Sequence, residues 1–194
     1  MIGLILCGGQ SSRMGTDKGL LKSEAIPWAR HAFDKLSSLQ IPVLISVNRN
    51  QVNDYAELFT AAGLVTDNET LQLKGPLLGV LSTHLAYPGQ DIFVLACDML
   101  LMESSILMQL FNEYGTTREA DAIVFTNDGQ PEPLCGIYKS GGLQLVLARY
   151  YSQQLSKHSM KFMLEHLAVY FISITDDQKK FFRNINAHAE LNGL

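Results

Sequence analysis

Three short segments of the chain, IGLIL at residues 2–6, PVLISV at 42–47 and DIFVLA at 91–96, are apolar almost without interruption. A strand with one wet face would alternate apolar and polar residues. These do not alternate, so both faces must be covered, as in a parallel strand buried between helices. The intervening sequence supplies those helices. Residues 27–39 (PWARHAFDKLSSL) open on a proline suited to a first helical turn and repeat Trp28, Ala32, Phe33, Leu36 and Leu39 at helical spacing. A helix over 55–62 is expected to end at Gly63 as its C-cap, followed by the short strand GLVT. Another helix, LLGVLSTHLAY, follows Pro76, and residues 104–114 form a helix with serine as its N-cap. Strands alternating with helices over residues 1–110 imply right-handed βαβ units.

Beyond them, ADAIVF and PLCGIY read as strands around the turn TNDGQ, then helices over 142–155 and 159–167 and a strand over 169–174. The expected fold is α/β: a three-layer, Rossmann-like arrangement with a twisted, mostly parallel but mixed sheet and helices on both faces. The 194 residues fit one domain.

The formal net charge of −4 gives no general attraction to nucleic acid, so any phosphate binding must come from a local site. Cys7, Cys97 and Cys135 have no CxxC spacing, and the five histidines show neither HxxxH nor HExxH, so neither a disulfide framework nor a zinc site is indicated. No apolar run approaches the ~18 residues of a membrane span, and the first residues lack the basic start of an export signal. The expectation is a reduced, cytoplasmic protein with no membrane partner.

In open sheets of this type ligands bind beyond the C-terminal strand ends. The first such loop lies in LILCGGQSSRMGTDKGLL, residues 4–21. Gly8 and Gly9 allow the backbone to approach a ligand, the turn presents amide N–H groups to an anion, and Arg13 and Lys18 add positive charge. The spacing is neither that of a Walker loop nor that of a dinucleotide fingerprint. From composition alone an ordinary glycine-rich surface turn is an equal reading. Asp67 ends the strand GLVT on the same side, where it could accept from guanine N–H donors or serve a turn. Asp98 ends the buried run DIFVLAC and faces the crevice, where a carboxylate can ligate Mg²⁺ or cap a helix. Asn184 and Asn186 alternate onto one side of an extended NIN segment, which suits phosphate or metal contact as well as a helix cap.

The loop LCGGQSSRMGTDKGLL closely resembles the signature L-x-G-G-x-S-x-R-M-G-x-D-K of the molybdenum cofactor guanylyltransferases, part of the larger group of nucleotidyltransferases that activate sugars and cofactors. The resemblance implies that Leu6, Cys7, Gly8, Gly9 and Lys18 bind nucleotide and that Arg13, Lys18 and Asp98 are catalytic. Asp67 followed by KGPLLGVL resembles the family's Asp and G-P-L-x-G, which adds Asp67, Gly75, Pro76 and Leu77 to the nucleotide set, with Ser46 from the second strand. CDMLL resembles the family's P-C-D-x-P metal station and makes Asp98 the nucleotide and Mg²⁺ ligand, although Ala96 and Leu100 stand where the family has prolines. Asn184-Ile185-Asn186 resembles N-x-N-T-P-E-E-L and suggests phosphate or acceptor contacts for Asn184 and Asn186; Ala187-His188 replaces Thr-Pro, and Glu190-Leu191 keeps the spacing. PEPLCGIY resembles a strand leading to the acceptor pocket.

The implied reaction is attack by the terminal phosphate of molybdenum–molybdopterin on the α-phosphorus of GTP, with loss of pyrophosphate. Residues 1–110 would bind nucleotide and residues 111–194 the acceptor, with molybdopterin-handling proteins and molybdoenzyme chaperones as partners. Cytidylyltransferases for the same pterin resemble T-A-A-G at the first loop and lack G-P-L, whereas this chain has LCGG and GPLLG, which favours guanine. The same motifs are compatible with a sugar-phosphate nucleotidyltransferase, or with a non-catalytic nucleotide or pterin carrier that kept the scaffold.

Overall fold

The computed structural model describes residues 1–7 and 17–185. Gly8, Gly9, Arg13 and Asn186 therefore lie outside the described residues. In chain order the elements are β1 (Ile2–Leu6), a small antiparallel pair β2 (Lys22–Ser23) and β3 (Ile26–Pro27), α1 (Trp28–Ser37), β4 (Val43–Val47), α2 (Val52–Ala56) and β5 (Leu64–Thr66). Then come α3 (Pro76–Ala86), β6 (Ile92–Ala96), α4 (Ser104–Thr116), β7 (Ala122–Asn127), β8 (Gln130–Tyr138), α5 (Ser140–Tyr151), α6 (Met160–Leu164) and β9 (Val169–Ser173).

The main sheet has the order β5-β4-β1-β6-β8-β7-β9. β5, β4, β1 and β6 are mutually parallel, β8 runs antiparallel to both β6 and β7, and β9 returns parallel to β7. The sheet is thus mostly parallel and mixed, as expected. Its strands are apolar on both faces for a visible reason. Ile5, Ile45, Leu95 and Phe125 join Ala29 and Leu36 of α1 and Leu107 of α4 in one core. Leu4, Leu6, Val94 and Val124 join Leu77 and Val80 of α3, Leu143 of α5 and Met163 of α6 in the other. Successive side chains of β1 thus enter opposite cores, and both are closed to water. Among the described residues no helix is long and apolar enough to cross a membrane.

Four local expectations change. The helix expected over 55–62 starts earlier, because Asn48 and Gln51 form a capping box that opens a 3-10 turn at Arg49–Gln51 leading into α2. It also stops earlier: Thr60 is extended, and Gly63 ends a separate 3-10 turn, Ala61–Gly63. α4 has Glu103 at its N-cap in place of serine, with no side-chain cap bond. α5 begins at Ser140, whose amide donates to Asp91 Oδ1 at 2.8 Å; that cap comes from the start of β6, not from a neighbour in sequence. α6 is only five residues long, capped by Ser159 as its side chain accepts from the Phe162 amide. The TNDGQ turn is as read: Asp128 and Gly129 both have positive φ, the geometry of a tight hairpin.

Candidate active site

Parallel β1, β4, β5 and β6 deliver their C-terminal ends to one edge of the sheet. Cys7 leaves β1, Asn48 leaves β4, Asp67 follows β5 and Asp98 follows β6. The Cys97 amide donates to the Leu6 carbonyl at 3.2 Å, and the Cys7 amide to the Ser46 carbonyl at 3.2 Å, so the three strand ends stay laced beyond their last paired residues.

A cleft of about 530 Å³ opens over this edge, lined by Leu6, Ser46, Asp67, Leu73, Gly75 and Pro76 among others. It is large enough for a small-molecule ligand. Leu6, Ser46, Asp67, Gly75 and Pro76 are therefore brought together as the sequence indicated. Leu77 turns its side chain into the core, fully buried, and Leu78 lines the cleft beside Pro76. Cys7 also points inward and offers the cleft region only backbone; its carbonyl accepts from Gln51 Nε2. Gly75 has φ 68°, ψ −157°, a conformation an L side chain rarely adopts, and it turns the chain directly into α3. Burial in the cleft raises the Asp67 pKa to about 6. A carboxylate this poorly hydrated gains from N–H donors more than an exposed one does.

Across the edge, Lys18 Nζ donates to Asp98 Oδ2 at 3.0 Å, with side chains 26% and 16% exposed. Asp98 Oδ1 is buried and has no hydrogen-bond partner among the described residues. An unsatisfied buried carboxylate oxygen is unfavourable, by about 1–3 kcal/mol or more for a charged group. It is the kind of atom that a bound cation satisfies. Among the described residues no cluster of three or more His, Cys, Asp or Glu side chains exists that could cage a metal. One carboxylate with substrate phosphates and water is the pattern Mg²⁺ uses, so the donor set fits that ion. The Ile185 amide donates to the Asp98 carbonyl at 2.9 Å, which brings Asn184, with an exposed side chain, beside the Asp98 turn.

The sequence reading missed the device that places Lys18. Asp17 Oδ1 accepts from the Gly19 amide at 2.9 Å and from Tyr55 Oη at 3.0 Å, and Oδ2 accepts from Gln51 Nε2. Gln51 is itself fixed, since its Oε1 accepts from the Asn48 amide at 2.8 Å. Burial holds the Tyr55 hydroxyl protonated far above its ordinary range, so it remains a donor. A Cβ on Gly19 would fall 2.0 Å from Tyr55 Oη, so only glycine fits under the clamp. Asp17 lies next to Lys18 in sequence, but its partners come from residues 51 and 55 and carry no local signal. Arg49 and Glu69 pair at 3.0 Å on the exposed rim of the cleft, where the contact adds little stability.

The MobA-like NTP transferase domain pattern matches residues 3–169. A probable molybdenum cofactor guanylyltransferase of Flavobacterium johnsoniae is 27% identical over 190 residues, covering 98% of this chain and 94% of that protein. A molybdenum cofactor guanylyltransferase of Burkholderia vietnamiensis is 32% identical, covering 71% of this chain and 70% of its own length. Among solved structures, molybdopterin-guanine dinucleotide biosynthesis protein A from Archaeoglobus fulgidus superposes with a TM-score of 0.78 at 20% identity, covering 100% of this chain and 96% of that one. A nucleotidyl transferase from Methanothermobacter superposes with a TM-score of 0.73 at 13% identity, covering 99% of this chain and 94% of that one, a likeness of fold. With the family pattern running from β1 into β9 across this strand-end cleft, the chain belongs to the MobA-like NTP transferase domain family and is a nucleotidyltransferase.

Proposed function

We propose that the chain transfers GMP from GTP to the terminal phosphate of molybdenum–molybdopterin, releasing pyrophosphate and forming the guanine dinucleotide cofactor. The observation that carries this reading is the half-satisfied Asp98 carboxylate: one oxygen on Lys18, the other buried without a donor among the described residues, at the strand edge that bears the cleft. The relatives' names supply the molybdenum cofactor and the guanylyl group, and the name of the Archaeoglobus protein supplies the molybdopterin.

In this reading the nucleoside half lies in the cleft, where the Asp67 carboxylate accepts from the guanine N1–H and N2–H₂ donors. Gly75 leaves room for close approach at the start of α3. Lys18, held by the Asp17 clamp, neutralises triphosphate charge, assisted by Arg13 and the Gly8–Gly9 amides. Asp98 Oδ1 would hold Mg²⁺, which when bound neutralises charge on the departing pyrophosphate. The attacking phosphate is ionised near pH 7, its second pKa being ~6, so no strong general base is required. Catalysis is then alignment of two anions plus electrostatic stabilisation. Residues 1–110 form the nucleotide half and residues 111–194, with Asn184 and Asn186, the acceptor half. The setting is cytoplasmic, with molybdopterin-handling proteins and molybdoenzyme chaperones as partners.

The test is incubation with Mg²⁺, molybdopterin and each nucleoside triphosphate in turn, with mass identification of the dinucleotide. A guanine dinucleotide formed with GTP is expected. A cytosine product from CTP, or GTP binding with no pyrophosphate release, overturns the reading.

A further inference from the structure

The turn that carries Asp98 must hold a carboxylate steady, yet residues 89–130 contain no proline. Two backbone bonds close the turn: the Met99 amide to the Ala96 carbonyl at 3.3 Å, and the Met102 amide to the Met99 carbonyl at 3.1 Å. The side chains of Met99 and Met102 anchor it in the core. Between those anchors lies Leu100, whose carbonyl accepts from Lys35 Nζ at 2.5 Å.

Lys35 stands in the last turn of α1, 65 residues earlier in the chain. α1 is locked to the sheet through the buried Ala29, Ala32 and Leu36. The Lys35 ammonium is half-buried, and desolvation lowers its pKa while the Glu103 carboxylate opposes the shift. An ammonium in that setting is unfavourable unless it donates to something fixed. What it donates to is backbone two residues beyond Asp98.

The other described groups that reach Asp98 itself are Lys18 Nζ and the Ile185 amide. In the proposed reaction Lys18 moves to the triphosphate, and the segment bearing Asn184 meets phosphate. Both contacts therefore lie on parts of the chain that meet substrate. Lys35 belongs to no substrate set and can keep its bond throughout.

We propose that Lys35 is a positioning residue: it ties the Asp98 turn to α1, so that the Asp98 carboxylate stays placed for a metal–triphosphate while Lys18 changes partners. This rests on the reading of Asp98 as metal ligand. The tie acts through backbone, so its loss should appear in metal affinity more than in nucleotide binding. Partners that orient a metal ligand are typically worth about 10-fold or more in affinity.

The experiment uses the full chain with Lys35→Met, Lys35→Gln and Lys35→Arg. Mn²⁺ affinity is read by electron paramagnetic resonance in the presence of a non-hydrolysable GTP analogue. The Mg²⁺ activation constant is read from pyrophosphate release with GTP and molybdopterin. For Lys35→Met both metal constants should rise by about 10-fold, with the GTP KM at saturating Mg²⁺ near that of the parent, and Lys35→Arg should recover most of the loss. Parent-like metal constants in a folded Lys35→Met, or in Lys35→Gln should the first not fold, overturn the proposal while the Asp98 assignment stands. A parent protein that needs no divalent ion overturns the Asp98 assignment, and this proposal with it.

Discussion

Replacing Asp17 by Asn tests how Lys18 is placed. Both Asp17 oxygens are acceptors: Oδ1 takes the Gly19 amide and Tyr55 Oη, and Oδ2 takes Gln51 Nε2. Asn keeps one carbonyl oxygen and puts an NH₂ group in the place of the other. If its oxygen stays with Gly19 and Tyr55, two amide donors face each other at Gln51. Gln51 cannot turn over to relieve this, because its oxygen already accepts from the Asn48 amide and its nitrogen also serves the Cys7 carbonyl. The loss is one hydrogen bond to a charged group, about 1.5–3 kcal/mol, plus some donor–donor repulsion. For a domain of this size each kcal/mol moves Tm by about 2–4 °C, so a fall of about 3–12 °C is expected by calorimetry or fluorimetry. A double-mutant cycle with Gln51→Ala isolates the pair and should return a coupling above about 1 kcal/mol. The KM for GTP should rise with the loss of Lys18 placement. A variant within about 0.5 kcal/mol of the parent, the range of ordinary surface substitutions, and with an unchanged KM, refutes the clamp.

Three further outcomes are expected. Asp98→Ala should lose GMP transfer by at least about 100-fold while the thermal transition stays cooperative, in line with removal of a preorganised charge; pyrophosphate release at the parent rate would exclude the metal role. Lys18→Ala should raise the GTP KM and lower kcat together, because the cation holds the triphosphate in the ground state and more strongly as charge builds on the departing pyrophosphate; steady-state kinetics showing neither change would count against it. GTP affinity should fall as the pH drops through about 6, where Asp67 takes up its proton, and Asp67→Asn should flatten that limb in a titration series. The stability sign is opposite. The folded pKa lies above the ordinary carboxylate value, so the native state holds more protons between the two, and this group's contribution to stability declines as the pH rises through that window.

The parts of the fold that were legible in sequence are those with local signals. Leu4, Ile5 and Leu6 are apolar because alternate side chains enter two cores, and that pattern alone identifies a doubly covered strand. Asp98 could be picked out because a carboxylate directly after six buried residues, Ile92 to Cys97, has nowhere to go but the strand-end crevice. Part of what stayed hidden depends on residues far apart in the chain. The start of α5 is set by Asp91, 49 residues earlier. The β2–β3 turn puts Glu24 and Ala25 at positive φ, where neither residue type advertises a turn. Leu77 and Leu78 are chemically identical, and only the rotation of α3 against the sheet decides which one faces the cleft. The Asp17 clamp needed Gln51 and Tyr55 to arrive from another element.

The sheet order has a consequence for biosynthesis. β1 leaves the ribosome well before β6, yet one of its two flanks is filled by that later strand, with Ile2 opposite Ile92 and Leu6 opposite Ala96. Until that later strand has been made, one ladder of β1 amides and carbonyls has only solvent, or a neighbouring nascent chain, to bond with. The β7–β8 hairpin faces no such delay, since its strands are joined by a two-residue turn. Long-range parallel pairing is slow because the connecting loop must close first. Polypeptides released short of residue 96 should therefore be prone to clumping, through an exposed ribbon edge that the finished molecule keeps sealed.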